Sequence, residues 1–353
     1  MRNNFSLNDL VRKNVLELLP YSSARDEFKS DGKEMVFLDA NENPFDNGLN
    51  RYPDPQQKEL KAVLAAQKDI STKQILLGNG SDEVLDLIFR VFCEPEIDNI
   101  ITLPPTYGMY KVLARINNIE EREVLLDEEF QPRLKKILDA VDSKTRIIFL
   151  CSPNNPSGNS FAEDQVVKLL ESFTGLVVID EAYIDFSEKQ SWLRKLSDFP
   201  NLIITQTLSK AYGLAGIRLG IAYASEEIIA LLNKIKPPYN INLLTQRSAL
   251  EAIKRTEVVQ KEIKEILDQR MLLEKELPKI NFVLKVYPSD ANFILLKVDD
   301  APRRYSELIE RGIVIRDRSS QQLCENCLRF TIGTTEENLK LIDALKQMQT
   351  SDS

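Results

Sequence analysis

The stretch TQTLSKAYGLAGIRLG, from Thr205 to Gly220, contains one lysine, Lys210, among small and hydroxyl-bearing residues. The amine of lysine is a nucleophile, and its pKa falls readily on burial. Thr207 and Ser209 offer hydroxyl donors, and Arg218 offers a two-pronged cationic donor for phosphate oxygens. We therefore interpret Lys210 as a lysine that condenses with the aldehyde of a cofactor, beside groups that hold the cofactor's phosphate. Taken alone, the stretch is equally compatible with a loop that carries a surface lysine.

The composition is that of an enzyme with small substrates. The length of 353 residues predicts two domains or one large one, and a hydrophobic fraction of 43% can build a full core. The net charge of −8 argues against a nucleic-acid-binding face. No apolar run approaches the roughly 18 residues that cross a bilayer, and the first residues lack the apolar region of a signal peptide. We expect a cytoplasmic protein without a membrane partner.

The chain contains no histidine, which restricts its chemistry. Ser-His and Cys-His nucleophile pairs are excluded, so any proton transfer must use Lys, Tyr, Asp or Glu. Cys324 and Cys327 have the spacing of a redox or zinc motif, but zinc needs two more ligands and the other two cysteines are distant in sequence. We expect no metal and free thiols, with a metal or redox role for this pair as the alternative.

Strand-like and helix-like runs alternate over most of the first 235 residues, which predicts an α/β fold with a mainly parallel sheet. Within this region the run GNGSDE, residues 78–83, opens a helix. Backbone N–H groups at Gly80, Ser81 and Asp82 and the positive end of the helix dipole would face one point, where an anion could bind. A plain N-cap by Ser81 or Asp82 is the alternative. The hydroxyls and the arginine near Lys210 favour a phosphate site.

Several motifs agree in order and spacing with a known group of proteins, from Leu19-Pro20-Tyr21 near the start to Leu328-Arg329-Phe330 near the end. On these motifs the chain resembles the fold-type I, pyridoxal-phosphate-dependent aminotransferases. Within that group it is similar to the histidinol-phosphate aminotransferase family. The resemblance implies a mainly parallel central sheet in a large domain, a smaller α/β domain, pyridoxal 5′-phosphate as cofactor, and a homodimer.

The residues expected around the cofactor ring follow strand ends. The apolar run from Leu176 delivers a carboxylate, Asp180, at its carboxyl end, where burial without a partner would be costly. A protonated pyridine nitrogen is such a partner, and an Asp that caps the following turn is the alternative. The resemblance implies that Asn155 and Tyr183 contact the ring's 3-oxygen and that Tyr107 stacks on the ring. It makes Asp180 and Tyr107 catalytic together with Lys210.

The resemblance also implies contacts to the substrate and to the partner subunit. Arg329, in an alternating strand, would bind the anionic end of the substrate, with Arg316 nearby. Either could instead be a surface strand arginine. Tyr21 would lie near the substrate at the mouth of the site. Tyr52, in the proline-flanked run NRYPDP, would reach the cofactor phosphate of the partner subunit, and its loop would cost little entropy to order.

The pattern changes after residue 240, where we place the hinge between domains. Residues 1–30 should form an arm, residues 31–240 the large domain and residues 241–353 the small one. In detail, Leu7 to Leu19 has the apolar spacing of a helix and Met35 to Ala40 that of a strand. Leu243 to about Leu277 is predicted to be one long charged helical stretch.

The reaction of the family is reversible amino transfer between L-histidinol phosphate and 2-oxoglutarate in histidine biosynthesis, which gives imidazole-acetol phosphate and L-glutamate. Alternatives of the same fold are an aromatic or other amino-acid aminotransferase and a threonine-phosphate decarboxylase. The LPYSSAR and NRYPDP segments favour histidinol phosphate. A non-catalytic regulator would need an added DNA-binding domain, for which the chain leaves no room. A structural protein would require Asp180, Lys210 and Arg218 to coincide by chance.

Overall fold

Apolar runs rich in Val, Ile and Leu form most of a seven-stranded sheet at the centre of the computed structural model, which describes residues 5–20 and 35–351. The strands are β1 (Ile75–Asn79), β2 (Asn99–Thr102), β3 (Glu120–Glu123), β4 (Thr145–Cys151), β5 (Leu176–Asp180), β6 (Leu202–Thr207) and β7 (Leu219–Tyr223). Their spatial order is β1-β7-β6-β5-β4-β2-β3. Only β7 runs antiparallel to its neighbours in this sheet, and the other pairs are parallel. The carboxyl ends of the other strands and the amino end of β7 therefore share one edge.

Successive side chains of the central strands enter two hydrophobic cores, one on each face of the sheet. In β5, Val177 and Ile179 belong to one core, whereas Leu176 and Val178 belong to the other. All five residues of β5 are buried. Two-sided burial explains why the sequence of such a strand is continuously apolar instead of alternating.

Helices pack around this sheet in chain order. They are α1 (Leu7–Leu10), α2 (Lys13–Glu17), α3 (Lys58–Lys68), α4 (Ser81–Phe92), α5 (Met109–Ile116), α6 (Leu134–Asp139), α7 (Glu163–Ser172), α8 (Glu226–Ile235) and α9 (Leu243–Lys254). None of the helices in the described part of the chain combines the length and the apolarity that a membrane span requires.

A second, antiparallel sheet follows in sequence. It consists of β8 (Val283–Val286), β9 (Phe293–Val298), β10 (Arg316–Asp317) and β11 (Cys327–Thr331), in the order β10-β11-β9-β8. It shares a separate core with α10 (Thr256–Glu276), α11 (Ala301–Glu310) and α12 (Thr335–Ser351). The two sheets confirm the predicted α/β class, with a mainly parallel central sheet. The predicted domain boundaries stay predictions.

The helix predicted from Leu7 to Leu19 is interrupted. The chain leaves the helical conformation at Val11 and Arg12, between α1 and α2. The backbone N–H of Arg12 donates to the carbonyl oxygen of Val91 at 3.0 Å, and its guanidinium pairs with Glu94 at 3.1 Å. Docking on the end of α4 therefore outweighs the local helical pattern.

Two further predictions of local structure were wrong. Residues 35–40 form no strand, and the side chains of Val36 and Leu38 are 81% and 87% exposed. β propensity alone does not make a strand where no neighbouring strand pairs with it. The long helix predicted from Leu243 is two helices, α9 and α10, which meet at Arg255.

Candidate active site

One pocket lies at the sheet edge where the parallel strands end. Ten of the residues singled out in the sequence line it: Ser81, Asp82, Tyr107, Asn155, Asp180, Tyr183, Thr207, Ser209, Lys210 and Arg218. The topology explains this convergence. Each of the loops after β1, β2, β4, β5 and β6 begins at this edge, and β7 starts there directly after Arg218.

Asp180 ends β5 and is only 3% exposed. The Tyr110 hydroxyl donates to its Oδ2 at 2.9 Å, and the backbone N–H of Ala182 donates to its Oδ1 at 3.1 Å. Burial raises the pKa of Asp180, and these two hydrogen bonds act against the rise. A buried carboxylate that remains in the wall of a pocket is suited to a cationic partner inside the pocket.

Tyr110 is a contributor that the sequence reasoning missed. It is fully buried, stacks on Phe149 with ring centroids 4.8 Å apart, and meets the edge of Tyr107 at 5.6 Å. These aromatic contacts fix the direction in which its hydroxyl points at Asp180. The signal was available, because Tyr110 follows Tyr107 by three residues, so a helix starting there puts both on one face.

The opposite end of the pocket is built for an oxyanion. The Arg218 guanidinium lies there, 3.5 Å from Asp82 Oδ2, and the hydroxyls of Thr207 and Ser209 are 3.1 Å apart. Gly80 has φ +81°, and a Cβ at this position would lie 2.5 Å from Arg218 Nη2. Only glycine therefore lets the turn before α4 approach this arginine, with its first N–H groups towards the pocket.

Lys210 stands between these ends, with its Nζ 5.6 Å from the ring centroid of Tyr183. The side chain is accessible from the pocket, but the pocket walls desolvate the amine. Desolvation first, and then the positive charge of Arg329, lower the pKa of Lys210, whereas Asp180 acts in the opposite direction. The amine is therefore a better nucleophile and base near neutral pH than an ordinary surface lysine.

Tyr107 and Tyr183 close the two sides of the pocket. The Tyr107 hydroxyl donates to Asp82 Oδ1 at 3.0 Å. Tyr183 packs edge-on against Phe293 of β9, with ring centroids 5.1 Å apart. Burial raises the pKa of both phenols, so they act as hydrogen-bond donors and not as phenolates near neutral pH. The contact with Phe293 connects the pocket to the second sheet.

Arg329 extends from β11 of the second sheet to the pocket. Its Nη1 donates to Asn155 Oδ1, and its Cζ lies 5.0 Å from the ring centroid of Phe293. Its buried Nε has no hydrogen-bond partner within the described residues. Burial, and then the charge of Arg318, lower the pKa of Arg329 to about 10. An under-satisfied guanidinium at a pocket is suited to an incoming anion.

Two more arginines stand beside Arg329. Arg316 lies directly opposite it in the β10–β11 pair and is exposed. Arg318 was missed by the sequence reasoning; it is half-buried, and its Nε also lacks a partner in the described part of the chain. Its signal was its position two residues after Arg316, on the same face of an extended segment. Like charges opposite each other destabilise a sheet, so this cluster needs an anion to balance it.

Tyr52 and Tyr21 are the predicted site residues that this pocket does not bring in. Tyr52 is 50% exposed and stacks on Tyr239, with ring centroids 4.5 Å apart. Its predicted contact with a partner's cofactor stays a prediction. Tyr21 lies outside the described residues.

Comparisons with known proteins agree with this geometry. The family described as Aminotransferase class I and II matches residues 33–345. A histidinol-phosphate aminotransferase of Flavobacterium johnsoniae is 66% identical over 345 residues, which is 98% of this chain and 99% of that protein. One from Christiangramia forsetii is 63% identical over 98% of this chain and 99% of its own length. The crystal structure of the histidinol-phosphate aminotransferase from Clostridium acetobutylicum matches with TM-score 0.80 and 26% identity, covering 86% of this chain and 92% of that one.

Proposed function

The chain belongs to the class I and II aminotransferase family, and from this membership we propose that it is a histidinol-phosphate aminotransferase. It transfers an amino group reversibly between L-histidinol phosphate and 2-oxoglutarate, with pyridoxal 5′-phosphate as cofactor. The observation that carries the proposal is the single pocket that holds a buried Asp180 and a Lys210 of lowered pKa.

The residues present fit this cofactor. Asp180 offers the buried negative charge that a protonated pyridine nitrogen requires. Ser81, Thr207, Ser209 and Arg218 offer hydroxyl, backbone and guanidinium donors for a phosphate group. The cofactor, when bound, supplies an electron sink that makes the substrate carbon acidic. Everything else in the reaction falls to side chains of the chain.

Lys210 is the residue that we assign to proton transfer. With no histidine in the sequence, its amine is the basic group of the pocket that can both accept and release a proton near neutral pH. Desolvation keeps part of the Nζ population uncharged. Asn155 and Tyr183, which also line the pocket, would orient the cofactor's ring oxygen, and Tyr107 would pack against the ring.

The arginine cluster is the part that we assign to substrate binding. One site must accept the phosphate monoester of histidinol phosphate and then a carboxylate of 2-oxoglutarate. Guanidinium groups match both oxyanions with the same forked geometry. Arg329 and Arg316 would make these contacts, with Arg318 beside them. Tyr21, at the mouth, stays part of this proposal.

A homodimer and a cytoplasmic location belong to the same proposal. Apolar side chains on the segment before Tyr52 are largely exposed in the single chain, for example Phe45 at 80%, which is the usual sign of a surface that a partner covers. Tyr52 would extend across this interface towards the partner's cofactor phosphate. All four cysteines are free thiols, as expected in a reducing compartment. A small domain that begins after residue 240 completes the proposed organisation.

A half-reaction screen tests the proposed function. The cofactor-loaded protein is mixed with one amine at a time, and its absorbance reports conversion of the bound cofactor to the amino form. Histidinol phosphate should convert it at lower concentration than phenylalanine or O-phosphothreonine. Preferential conversion by phenylalanine would replace the proposal with an aromatic aminotransferase. Release of carbon dioxide from O-phosphothreonine would replace it with a decarboxylase.

A further inference from the structure

A second pocket lies between α3, the short turn Thr72–Gln74 and α8, and it is rich in lysine. It has a volume of about 400 Å³, within the range of roughly 300–1,000 Å³ that is usual for small-molecule sites. Lys58, Lys61 and Lys73 line it, and Glu226 is the one carboxylate among its described lining residues. It shares no lining residue with the Lys210 pocket.

Lys61 sets this pocket apart from an ordinary basic surface. Its side chain is on the buried face of α3, and the residue is only 6% exposed. Within residues 5–20 and 35–351 its ammonium has neither a hydrogen-bond nor an ion-pair partner. Burying a charged ammonium group without a partner is costly, so such a group calls for a counterion.

A neighbouring buried lysine shows what a satisfied ammonium group looks like in this fold. Lys236 is 8% exposed, and its Nζ donates to the carbonyl oxygens of Pro55 at 3.3 Å and Pro237 at 3.4 Å and to Asn240 Oδ1 at 3.2 Å. Burial first, and then the charge of Lys236, lower the pKa of Lys61 to about 8. The same burial is thus compensated at one lysine and uncompensated at the other.

The carboxylates near Lys61 are engaged elsewhere. The Asp54 charge acts to raise the pKa of Lys61, but the Asp54 oxygens accept from the backbone N–H groups of Gln56 at 2.9 Å and Lys58 at 2.6 Å. Glu226 pairs with Lys73 at 3.8 Å. The pocket therefore keeps an excess of positive charge directed at its interior.

We propose that this pocket binds a small oxyanion, the phosphate or carboxylate group of a metabolite, with Lys61 Nζ as its main contact. Lys58 and Lys73, both exposed at the rim, add to the attraction, and the neutral side chains of Thr72 and Asn233 offer further hydrogen bonds. Lysine binds phosphate as a point charge, which suits a site without guanidinium groups. The proposal does not depend on the reaction carried out at Lys210.

Calorimetric titration tests the proposal on protein that has been loaded with pyridoxal phosphate and reduced with borohydride, so that the phosphate end of the Lys210 pocket is filled. The probes are inorganic phosphate and succinate, which distinguish a phosphate from a carboxylate ligand. One ion should bind per chain, and Lys61→Met should weaken this binding at least tenfold. The control Lys168→Met, on the exposed face of α7, should bind like the wild type. Absence of binding, or equal binding by wild type and Lys61→Met, would overturn the proposal.

Thermal unfolding gives a second readout. Removing a buried charge that lacks a partner should raise the Tm of Lys61→Met above that of the wild type without added ions. The bound ion should raise the Tm of the wild type and leave that of Lys61→Met unchanged. If Lys61→Met does not fold, the double variant of the exposed Lys58 and Lys73 to Met carries the test. Unaltered phosphate and succinate affinity in that variant would count against the site.

Discussion

The two ends of the Lys210 pocket satisfy their charges differently. At the end formed by the seven-stranded sheet, charges are matched within the chain: Arg218 faces Asp82, and Asp180 accepts from Tyr110. At the end formed by β10 and β11, Arg329 and Arg318 keep guanidinium nitrogens without partners among the described residues. The difference indicates that the first end is pre-organised for a permanent occupant. The second is left unbalanced for substrates that come and go.

Replacing Lys210 should give the largest loss of activity. Lys210→Ala removes both the attachment point and the base, so transamination should fall by at least about a thousandfold. Borohydride treatment followed by peptide mass analysis should find the cofactor on Lys210 in the wild type and nowhere in the variant. Lys135→Ala, an exposed lysine on α6, is the control and should be fully active. Substantial turnover by Lys210→Ala would contradict the role given to this residue.

Asp180→Asn should be the next most damaging change at the permanent end. The neutral amide cannot hold a proton on the pyridine nitrogen, so kcat should drop by about a hundredfold or more, as for other losses of pre-organised charge. Apoprotein titrated with pyridoxal phosphate should also show weaker binding. A variant with wild-type kcat would mean that Asp180 is a turn cap.

Arg329→Ala probes the exchangeable end. Loss of a charge-assisted hydrogen bond costs about 1.5–3 kcal/mol, so the KM values for both substrates should rise roughly ten- to a hundredfold. Pyridoxal phosphate affinity should stay close to that of the wild type, which separates the two ends. Arg318→Ala should act in the same direction, and the exposed Arg316 should contribute least. An unchanged KM for glutamate would remove Arg329 from the substrate site.

Tyr110→Phe should have a moderate effect at the permanent end. It removes one hydrogen bond to the Asp180 carboxylate and keeps the stacking on Phe149, so kcat should fall about tenfold while KM changes little. In the Asp180→Asn background the same change should cost less, because the charge that the hydroxyl supported is gone. Equal losses in both backgrounds would show that Tyr110 acts only through packing.

The smallest effect is a shift in pH dependence that links the two ends. Arg329 lowers the pKa of Lys210 through its positive charge, so Arg329→Ala should raise that pKa. The rate at which cofactor-free protein captures pyridoxal phosphate would then need a higher pH to reach its maximum. Asp180→Asn should move the profile to lower pH, because Asp180 raises the pKa of Lys210. Shifts in the same direction would show that charge is not the cause.

Much of the permanent end could be predicted from the sequence, because its residues follow strand ends. Once Leu176–Asp180 is recognised as a buried strand, parallel topology brings Asp180 and the Lys210 loop to one edge. Tyr110 and Arg318 were harder to find because their roles depend on where side chains point after packing. The break at Arg12 arises from contacts with residues about 80 positions away, which a local periodicity does not contain.

The absence of imidazole from the pocket has a consequence outside its chemistry. Amine, phenol, carboxylate and guanidinium groups supply every polar function there, and all 353 residues are free of histidine. With the proposed activity, a cell starved of this amino acid can still complete the polypeptide, because no codon in it waits for histidyl-tRNA. Synthesis of the catalyst is thereby independent of the supply of the product that its pathway restores.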